Sequence, residues 1–230
     1  MSSYFHLPLS DTKPEPFSET EVANFALRTG WIDDVGVITP GRTMIERRAL
    51  SWWPDHDLIV AHDPAWGSTV AAWVIREGER LIRLPGQAPP IHALNASLKP
   101  VFTADNALAY LGFFCLFIRG DAGPFGIVCS IEDGFLPADL DREKIAPYLR
   151  EAVLLQQTPV ADDETAFSFD VEAPVYHGDA LFLANFRLFP NGMVEMLSDE
   201  PLVGDLGVAL QMPLTFPPPP PLPGTDDPVH

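Results

Sequence analysis

The sequence predicts an α+β protein in which antiparallel sheets pack with two or three helices. Apolar residues make up 47% of the 230-residue chain, and its 15 Phe and 5 Trp are enough to fill a hydrophobic core. Two stretches have helical character, and several shorter ones combine strand-like composition with flanking turn residues. A helix followed by strands occurs twice, which is consistent with two similar helix-plus-sheet units.

The chain is predicted to divide into three parts. Residues 1–16 form a Pro-rich lead-in, residues 17–206 form the folded body, and residues 207–230 form a flexible C-terminal segment. Gly and Pro residues suggest a boundary inside the body near 85–102. We predict that the core is built mainly from Phe25, Leu27, Val74, Leu111, Phe114, Ile127, Phe169, Phe182 and Phe186.

The first half of the body is predicted as a helix followed by strands. Ser18 and Glu21 have the spacing of a capping box, and Gly30 supplies the helix end. The strands are predicted at 43–50, 57–62, 68–76 and 79–84, the last two as a hairpin. Residues 85–90 contain Gly and several Pro and are predicted as a loop.

The second half is predicted as a hydrophobic helix at 103–118, a strand at 125–131, a short helix at 141–150 and a β-meander. The strands of this meander are predicted at 152–158, 165–173, 180–189 and 193–197. Asn191-Gly192 between apolar residues that alternate with polar ones is the strongest hairpin signal in the chain.

The charge of the chain limits its direct partners. Its 32 Asp and Glu against 14 Lys and Arg give a formal net charge of −18. Nucleic-acid phosphates need clustered basic residues, so we expect no direct contact with DNA or RNA. An acidic surface is also a common means of keeping a protein in solution, and this interpretation needs no partner.

The sequence is typical of a cytoplasmic protein. The N-terminus lacks a basic region followed by an apolar one, so no signal peptide is expected. The apolar run at 107–118 is too short to cross a bilayer. Cys115 and Cys129 both lie in apolar surroundings, which suits reduced thiols.

No catalytic signature is evident. His56 and His62 are six residues apart and, with Asp57, are the first candidates for a metal site, although Pro54 and Pro64 favour ordinary strand ends near turns. The chain has no Gly-x-Ser-x-Gly nucleophile motif. We therefore predict no cofactor and favour a non-enzymatic protein. A small enzyme with a site near His56 and His62 stays an alternative.

Other residues that chemistry could use have plainer explanations. The carboxylate pairs Asp33-Asp34 and Glu132-Asp133 both lie in predicted loops, where acidic residues are common. The Gly-rich stretch 120–126 follows a helix and precedes a strand, the reverse of a phosphate-binding loop. The Trp residues are predicted to pack in the core or at an interface.

The C-terminal end carries a peptide with recognisable spacing. Gln211, Leu214 and Phe216 form the pattern Q-x-x-L-x-F, with Met212 at the second position, and a run of prolines follows. A Gln side chain offers both a donor and an acceptor, while Leu and Phe can fill an apolar pocket on a partner. Proline residues at 213 and 217 limit the backbone freedom that binding would remove.

This peptide resembles the motif with which many bacterial proteins bind the DNA polymerase sliding clamp. Within that group the chain is similar in kind to replication-inhibiting toxins of the SocB type, which belong to toxin–antitoxin pairs. The resemblance covers six residues, and Met212 replaces the Leu that is often found second. It implies that the protein occupies the clamp pocket that polymerases need. It also implies a second partner, an antitoxin that acts as a proteolytic adaptor.

Two other interpretations stay open, one for the C-terminal segment and one for the whole chain. Residues 208–214 could form one more strand, at a sheet edge because of Pro213, with Phe216 in the core. The acidic chain could instead be an inhibitor or immunity-type protein that covers a basic partner. Exposure of Phe216, and prolines from 217 onward that do not pack, are the expectations that would favour clamp binding.

Overall fold

The computed structural model describes residues 5–29, 38–67, 70–76, 81–160 and 163–210. It confirms the α+β prediction: within these residues, four helices pack with two five-stranded antiparallel sheets and one two-stranded hairpin. Sheet 1 comes from the first part of the chain and has its strands in sequence order. Sheet 2 comes from the second part and is built around one long strand.

The helices are α1 (Glu19–Thr29), α2 (Ala88–Leu98), α3 (Ala104–Phe117) and the single-turn α4 (Arg142–Ile145). The strands of sheet 1 are β1 (Glu15–Pro16), β2 (Met44–Ala49), β3 (His56–His62), β4 (Val70–Arg76) and β5 (Ile82–Arg83). The short hairpin is β6 (Arg119–Gly120) with β7 (Gly123–Pro124). The strands of sheet 2 are β8 (Gly126–Ile127), β9 (Val153–Val160), β10 (Asp163–His177), β11 (Ala180–Leu188) and β12 (Val194–Val203).

Helix α1 begins with the predicted capping box. The backbone N–H of Ser18 donates to Glu21 Oε2 over 2.7 Å, and the backbone N–H of Glu21 donates to Ser18 Oγ over 3.3 Å. This satisfies two N–H groups that a helix start otherwise leaves open. The apolar face of α1 then packs on one face of sheet 1, through Val22, Phe25 and Ala26.

The opposite face of sheet 1 packs against α2 and α3. Leu58 and Val60 of β3 and Val74 of β4 share one cluster with Trp53, Tyr110 and other residues of the two helices and the preceding turn. The same cluster includes Phe169 and Leu188 of sheet 2. The predicted boundary region 85–102 thus contains a helix whose Ile91 and Leu94 lie in a core that joins both sheets.

Sheet 2 is organised by β10. Along one side β10 pairs with β11 from Phe169 to His177, and along the other it pairs with β9 in its first part and with β8 near its end. Strand β11 continues through the predicted Asn191-Gly192 turn into β12. One face of β10 and β11 packs on Leu111 and Cys115 of α3.

Several sequence predictions need correction. Residues 85–90 are not all loop, because α2 begins at Ala88; Pro89 and Pro90 occupy its first turn, where the missing N–H groups have no helical partner to lose. Leu27 is not in the core but 65% exposed, since it lies on the side of α1 that faces away from Phe25. Phe114 and Phe182 are only half-buried.

The remaining predicted core residues are confirmed as buried: Phe25, Val74, Leu111, Ile127, Phe169 and Phe186. The packed part of the chain is longer than residues 17–206. Phe5 and Leu7 of the lead-in lie in the main core, and Leu210 is 1% exposed at the other end. Of the described helices, none combines the length and apolarity needed to cross a membrane.

Candidate functional site

The predicted partner-binding residues Gln211, Met212, Leu214 and Phe216 lie outside the described residues, as do Pro217 and the rest of the tail. The two expectations about Phe216 and the proline run therefore stay predictions. The structure does describe Leu210, the residue to which Gln211 is bonded, and shows how the chain reaches it.

Residues 206–210 form a segment that is fixed to the end of sheet 2; we call it the C-terminal anchor. The Leu206 N–H donates to the Asp179 carbonyl over 3.0 Å, and the Leu210 N–H donates to the Gly178 carbonyl over 3.1 Å. Between them the Tyr176 hydroxyl donates to the Val208 carbonyl over 2.5 Å. Three hydrogen bonds to the β10–β11 turn region thus set the path of the anchor.

The leucines of the anchor are buried in a cluster with Tyr176, Leu181 and other apolar side chains beside β8 and α4. Leu210 fits there because two neighbours are glycines. A Cβ on Gly126 would lie 2.6 Å from Leu210 Cδ2, and a Cβ on Gly123 would lie 2.8 Å from the Leu210 carbonyl oxygen. Burying a leucine contributes about 1.5–3 kcal/mol, so the anchor is held by packing as well as by hydrogen bonds.

Tyr176 is suited to its role as a donor. Burial raises the pKa of its hydroxyl to about 12, and the nearby carboxylates of Asp179 and Asp139 act in the same direction. The group stays protonated at neutral pH and keeps its hydrogen bond to Val208. The first residue of the Q-x-x-L-x-F peptide therefore follows a residue whose position is fixed.

The candidate metal site is not assembled. His56 and His62 are the first and last residues of β3 and lie about 20 Å apart along an extended strand. His56 Nδ1 is 2.8 Å from the Pro54 carbonyl and closes the turn before β3, while Asp57 lies on the other face and lines a groove beside α1. Among the described residues no group of three His, Cys, Asp or Glu side chains could hold a metal ion.

Asp63, which follows His62, has a structural role. Its fully buried carboxylate accepts hydrogen bonds from Arg42 Nε at 2.9 Å, the Thr43 hydroxyl at 2.7 Å and the Ala65 N–H at 2.8 Å. Burial acts to raise the pKa of Asp63, but the hydrogen bonds from Thr43, Ala65 and Arg42 outweigh it and hold the pKa below its ordinary value. The carboxylate ties the turn before β2 to the turn after β3, and both turns lie at the same end of sheet 1.

The remaining chemical candidates also have structural roles. Asp133 accepts hydrogen bonds from the N–H groups of Cys129 and Ser130, so it caps a turn, while Asp33-Asp34 lie outside the described residues. Cys115 is buried, and burial raises the pKa of its thiol to about 12, which makes a reactive thiolate unfavourable. The predicted packing role of the tryptophans is confirmed, since the following are all buried: Trp52, Trp53, Trp66 and Trp73.

One polar cluster was missed from the sequence. The Asn95 amide Nδ2 donates to the Tyr110 hydroxyl at 2.8 Å and to the Gly192 carbonyl at 3.1 Å, and the Tyr110 hydroxyl donates to the same carbonyl at 2.7 Å. These bonds join α2, α3 and the β11–β12 turn. A polar Asn between the apolar residues Leu94 and Leu98 was the available signal.

No protein-family model matches this chain, and no curated protein or solved structure matches it either.

Proposed function

We propose that this protein binds the bacterial DNA polymerase sliding clamp through the peptide at 211–216. The proposal rests on one observation: the peptide has the Q-x-x-L-x-F pattern of clamp ligands and starts directly after the C-terminal anchor. Gln211 supplies the polar contact, Leu214 and Phe216 fill the apolar pocket of the clamp, and Met212 adds an apolar side chain beside them.

The anchor supports this proposal energetically. Fixing the backbone of a residue costs about 1–2 kcal/mol, and a ligand peptide loses that freedom when it binds. Here one end of the peptide is attached to Leu210, which is held by packing and by a hydrogen bond to Gly178. Prolines at 213 and 217 further reduce the freedom to be lost. The peptide can therefore bind at a lower entropic cost than an unattached one.

The charge of the chain is compatible with a protein partner on DNA and not with DNA itself. A net charge of −18 opposes contact with phosphates. A protein that attaches to the clamp acts at the replication fork without touching nucleic acid. By occupying the pocket that polymerases use, it inhibits replication in the bacterial cytoplasm, as toxins of the resembling type do. Its second partner is then an antitoxin or proteolytic adaptor.

Calorimetry with purified clamp tests the proposal. The wild-type chain is compared with the double variant Gln211→Ala/Phe216→Ala, which loses two of the side chains proposed to contact the clamp. The binding free energy should become less favourable by several kcal/mol. The matched control is Leu222→Ala/Val229→Ala, which removes two apolar side chains from the same tail but leaves the peptide intact. Its affinity should equal that of the wild type.

Two results would contradict the proposal. Equal affinity of wild type and the Gln211/Phe216 variant would show that the peptide is not the ligand. Binding that weakens steeply as salt is added would instead indicate an acidic inhibitor that covers a basic partner, because apolar contacts through Leu214 and Phe216 depend only weakly on salt.

A further inference from the structure

A small apolar pocket lies beside β12 in sheet 2; we call it the β12 pocket. Its floor comes from β10 and β11, where Val175 pairs with Phe182 and Ala184 is the next residue on the same face. Met196 of β12 forms part of the rim and is 41% exposed. The pocket is therefore open to solvent at the edge of sheet 2.

The opposite rim is built from two stacked rings. Phe125 and His177 lie parallel, with ring centroids 4.0 Å apart and an interplanar angle of 9°. The His177 ring is oriented by Nδ1, which donates to the Pro124 carbonyl at 3.2 Å. Gly120 allows both rings to approach the β6–β7 hairpin, because a Cβ there would lie 3.2 Å from His177 and 3.3 Å from Phe125.

One carboxylate borders this apolar pocket. Asp199 pairs with Ala184 across the β11–β12 ladder, so its side chain lies on the pocket face of the sheet. It is exposed and forms no ion pair with any residue that the structure describes. Glu200, the next residue, pairs with Leu183 and lies on the opposite face.

The dimensions decide what kind of ligand fits. The cavity measures about 150 Å³. Small-molecule sites usually measure about 300–1,000 Å³, so this pocket has room for about one side chain. An apolar floor, aromatic rings and a single unpaired carboxylate at the rim match a side chain with an apolar stem and a cationic end.

We infer that the β12 pocket receives an arginine side chain from a partner protein. The methylene groups of arginine would lie on Phe182 and Met196, and the guanidinium would stack on an aromatic ring and pair with Asp199. Arginine is also among the residues most often found at the centre of protein interfaces.

The surroundings of the pocket favour a basic partner. Strand β12 contains Glu195, Asp199 and Glu200 and no Lys or Arg, in a chain of net charge −18. A second copy of this chain would bring the same acidic strand against β12, which charge repulsion disfavours. A basic segment of another protein meets a complementary potential. This inference does not depend on clamp binding, because it involves none of residues 211–216.

Methyl NMR on the full-length protein tests the site. The probe is N-acetyl-arginine methylamide, and N-acetyl-citrulline methylamide is its uncharged control of nearly the same shape. The Met196 methyl resonance should shift in a saturable way with the arginine probe and not with citrulline. The methyl resonance of Met44, on β2 in sheet 1, should not shift with either probe.

Two variants test whether the carboxylate of Asp199 is the group that binds the arginine probe. Asp199→Asn should weaken binding of the arginine probe about fivefold, the upper range for an exposed ion pair. Glu200→Gln makes the same change in net charge on the opposite face and should leave binding unchanged. The inference is overturned if citrulline shifts Met196 as arginine does, if no shift saturates, or if the two variants have equal effects.

Discussion

The two five-stranded sheets differ in how fully they are covered. In sheet 1 the central strand β3 is buried on both faces: Leu58 and Val60 pack on the helical core, while Ile59 and Ala61 pack towards α1. In sheet 2 the inner strands β10 and β11 pack on α3 through one face, and fewer than half of the residues of β11 are buried. The outer strands β9 and β12 are mostly exposed along their length.

This difference suggests separate roles for the two sheets, with sheet 1 stabilising the fold and sheet 2 binding partners. Sheet 1 buries charged side chains, among them Glu46, Arg48 and Asp63, and each of these has a partner. Sheet 2 buries no charged side chain among its described residues, but it positions the C-terminal anchor and the β12 pocket. We therefore expect core substitutions in sheet 1 to affect folding, and substitutions on β12 to affect binding.

The exposed edge of sheet 2 is also protected from non-specific pairing. Strand β12 carries a bulge at Leu197, between the pairs Phe186–Met196 and Asn185–Ser198, and a proline at position 201. Bulges, prolines and charges are the features by which proteins keep edge strands from joining other sheets. An individual side-chain pocket on this edge can then bind a partner without inviting strand addition.

A large effect is expected in the core of sheet 1. Leu58→Ala should lower the free energy of unfolding by about 2–5 kcal/mol, because Leu58 is fully buried and leaves a cavity. Urea unfolding measures this change. The matched control on sheet 2 is Leu197→Ala, where 43% of the residue is exposed and the loss should stay within about 0.5 kcal/mol. Similar losses in both variants would refute the contrast.

A second prediction concerns the β11–β12 turn of sheet 2, which contacts Asn95 of α2. Gly192 has φ +78°, and a Cβ there would lie 2.3 Å from Asn95 Nδ2. Gly192→Ala should cost about 1–2 kcal/mol for the left-handed backbone, and displacement of the buried Asn95 amide should add about 1–3 kcal/mol. Thermal unfolding compares it with Gly207→Ala, where φ is +73° but no atom lies within 4 Å. Equal losses would mean that the contact with Asn95 is unimportant.

Local signals explain which parts of the fold the sequence predicted. The Ser18–Glu21 capping box and the Asn191-Gly192 turn each depend on a few adjacent residues, and both are confirmed. Helix α2 was missed because Pro89 and Pro90 suggested a loop. The spacing of Ile91, Leu94 and Leu98 behind them would have indicated a helix that starts with proline.

Long-range packing explains what the sequence could not predict. Nothing near Phe5 or Leu210 indicates that each enters a core formed by distant residues. The β12 pocket likewise combines Phe125, Val175 and Asp199, which come from separate elements of the chain. The separation of His56 from His62 follows directly from an unbroken strand, and a stricter use of strand length would have excluded the shared metal.

The smallest expected effect in this comparison is electrostatic and depends on pH. Asp63→Asn removes a buried carboxylate that three donors satisfy, and at neutral pH it should lower the free energy of unfolding by about 1–3 kcal/mol. Because folding lowers the pKa of Asp63, its contribution is fully present above the unfolded pKa of about 3.9. The contribution is lost as pH falls through the lower pKa of the folded state. Urea unfolding at a series of pH values should therefore show the wild type and the variant converging in acid.

Asp170 of sheet 2 provides the control for this prediction. It pairs with Arg187 through two hydrogen bonds of 2.7 and 2.8 Å, and the bond from Arg187 lowers the pKa of this carboxyl too. However, the Asp170 side chain is 17% exposed, whereas that of Asp63 is fully buried, so water competes more strongly for the charge of Asp170. Asp170→Asn should therefore cost less than Asp63→Asn at neutral pH and show a weaker convergence in acid. A larger loss at Asp170 would mean that sheet 2, and not sheet 1, depends on its carboxylates, and the division between a stabilising and an interacting sheet would fail.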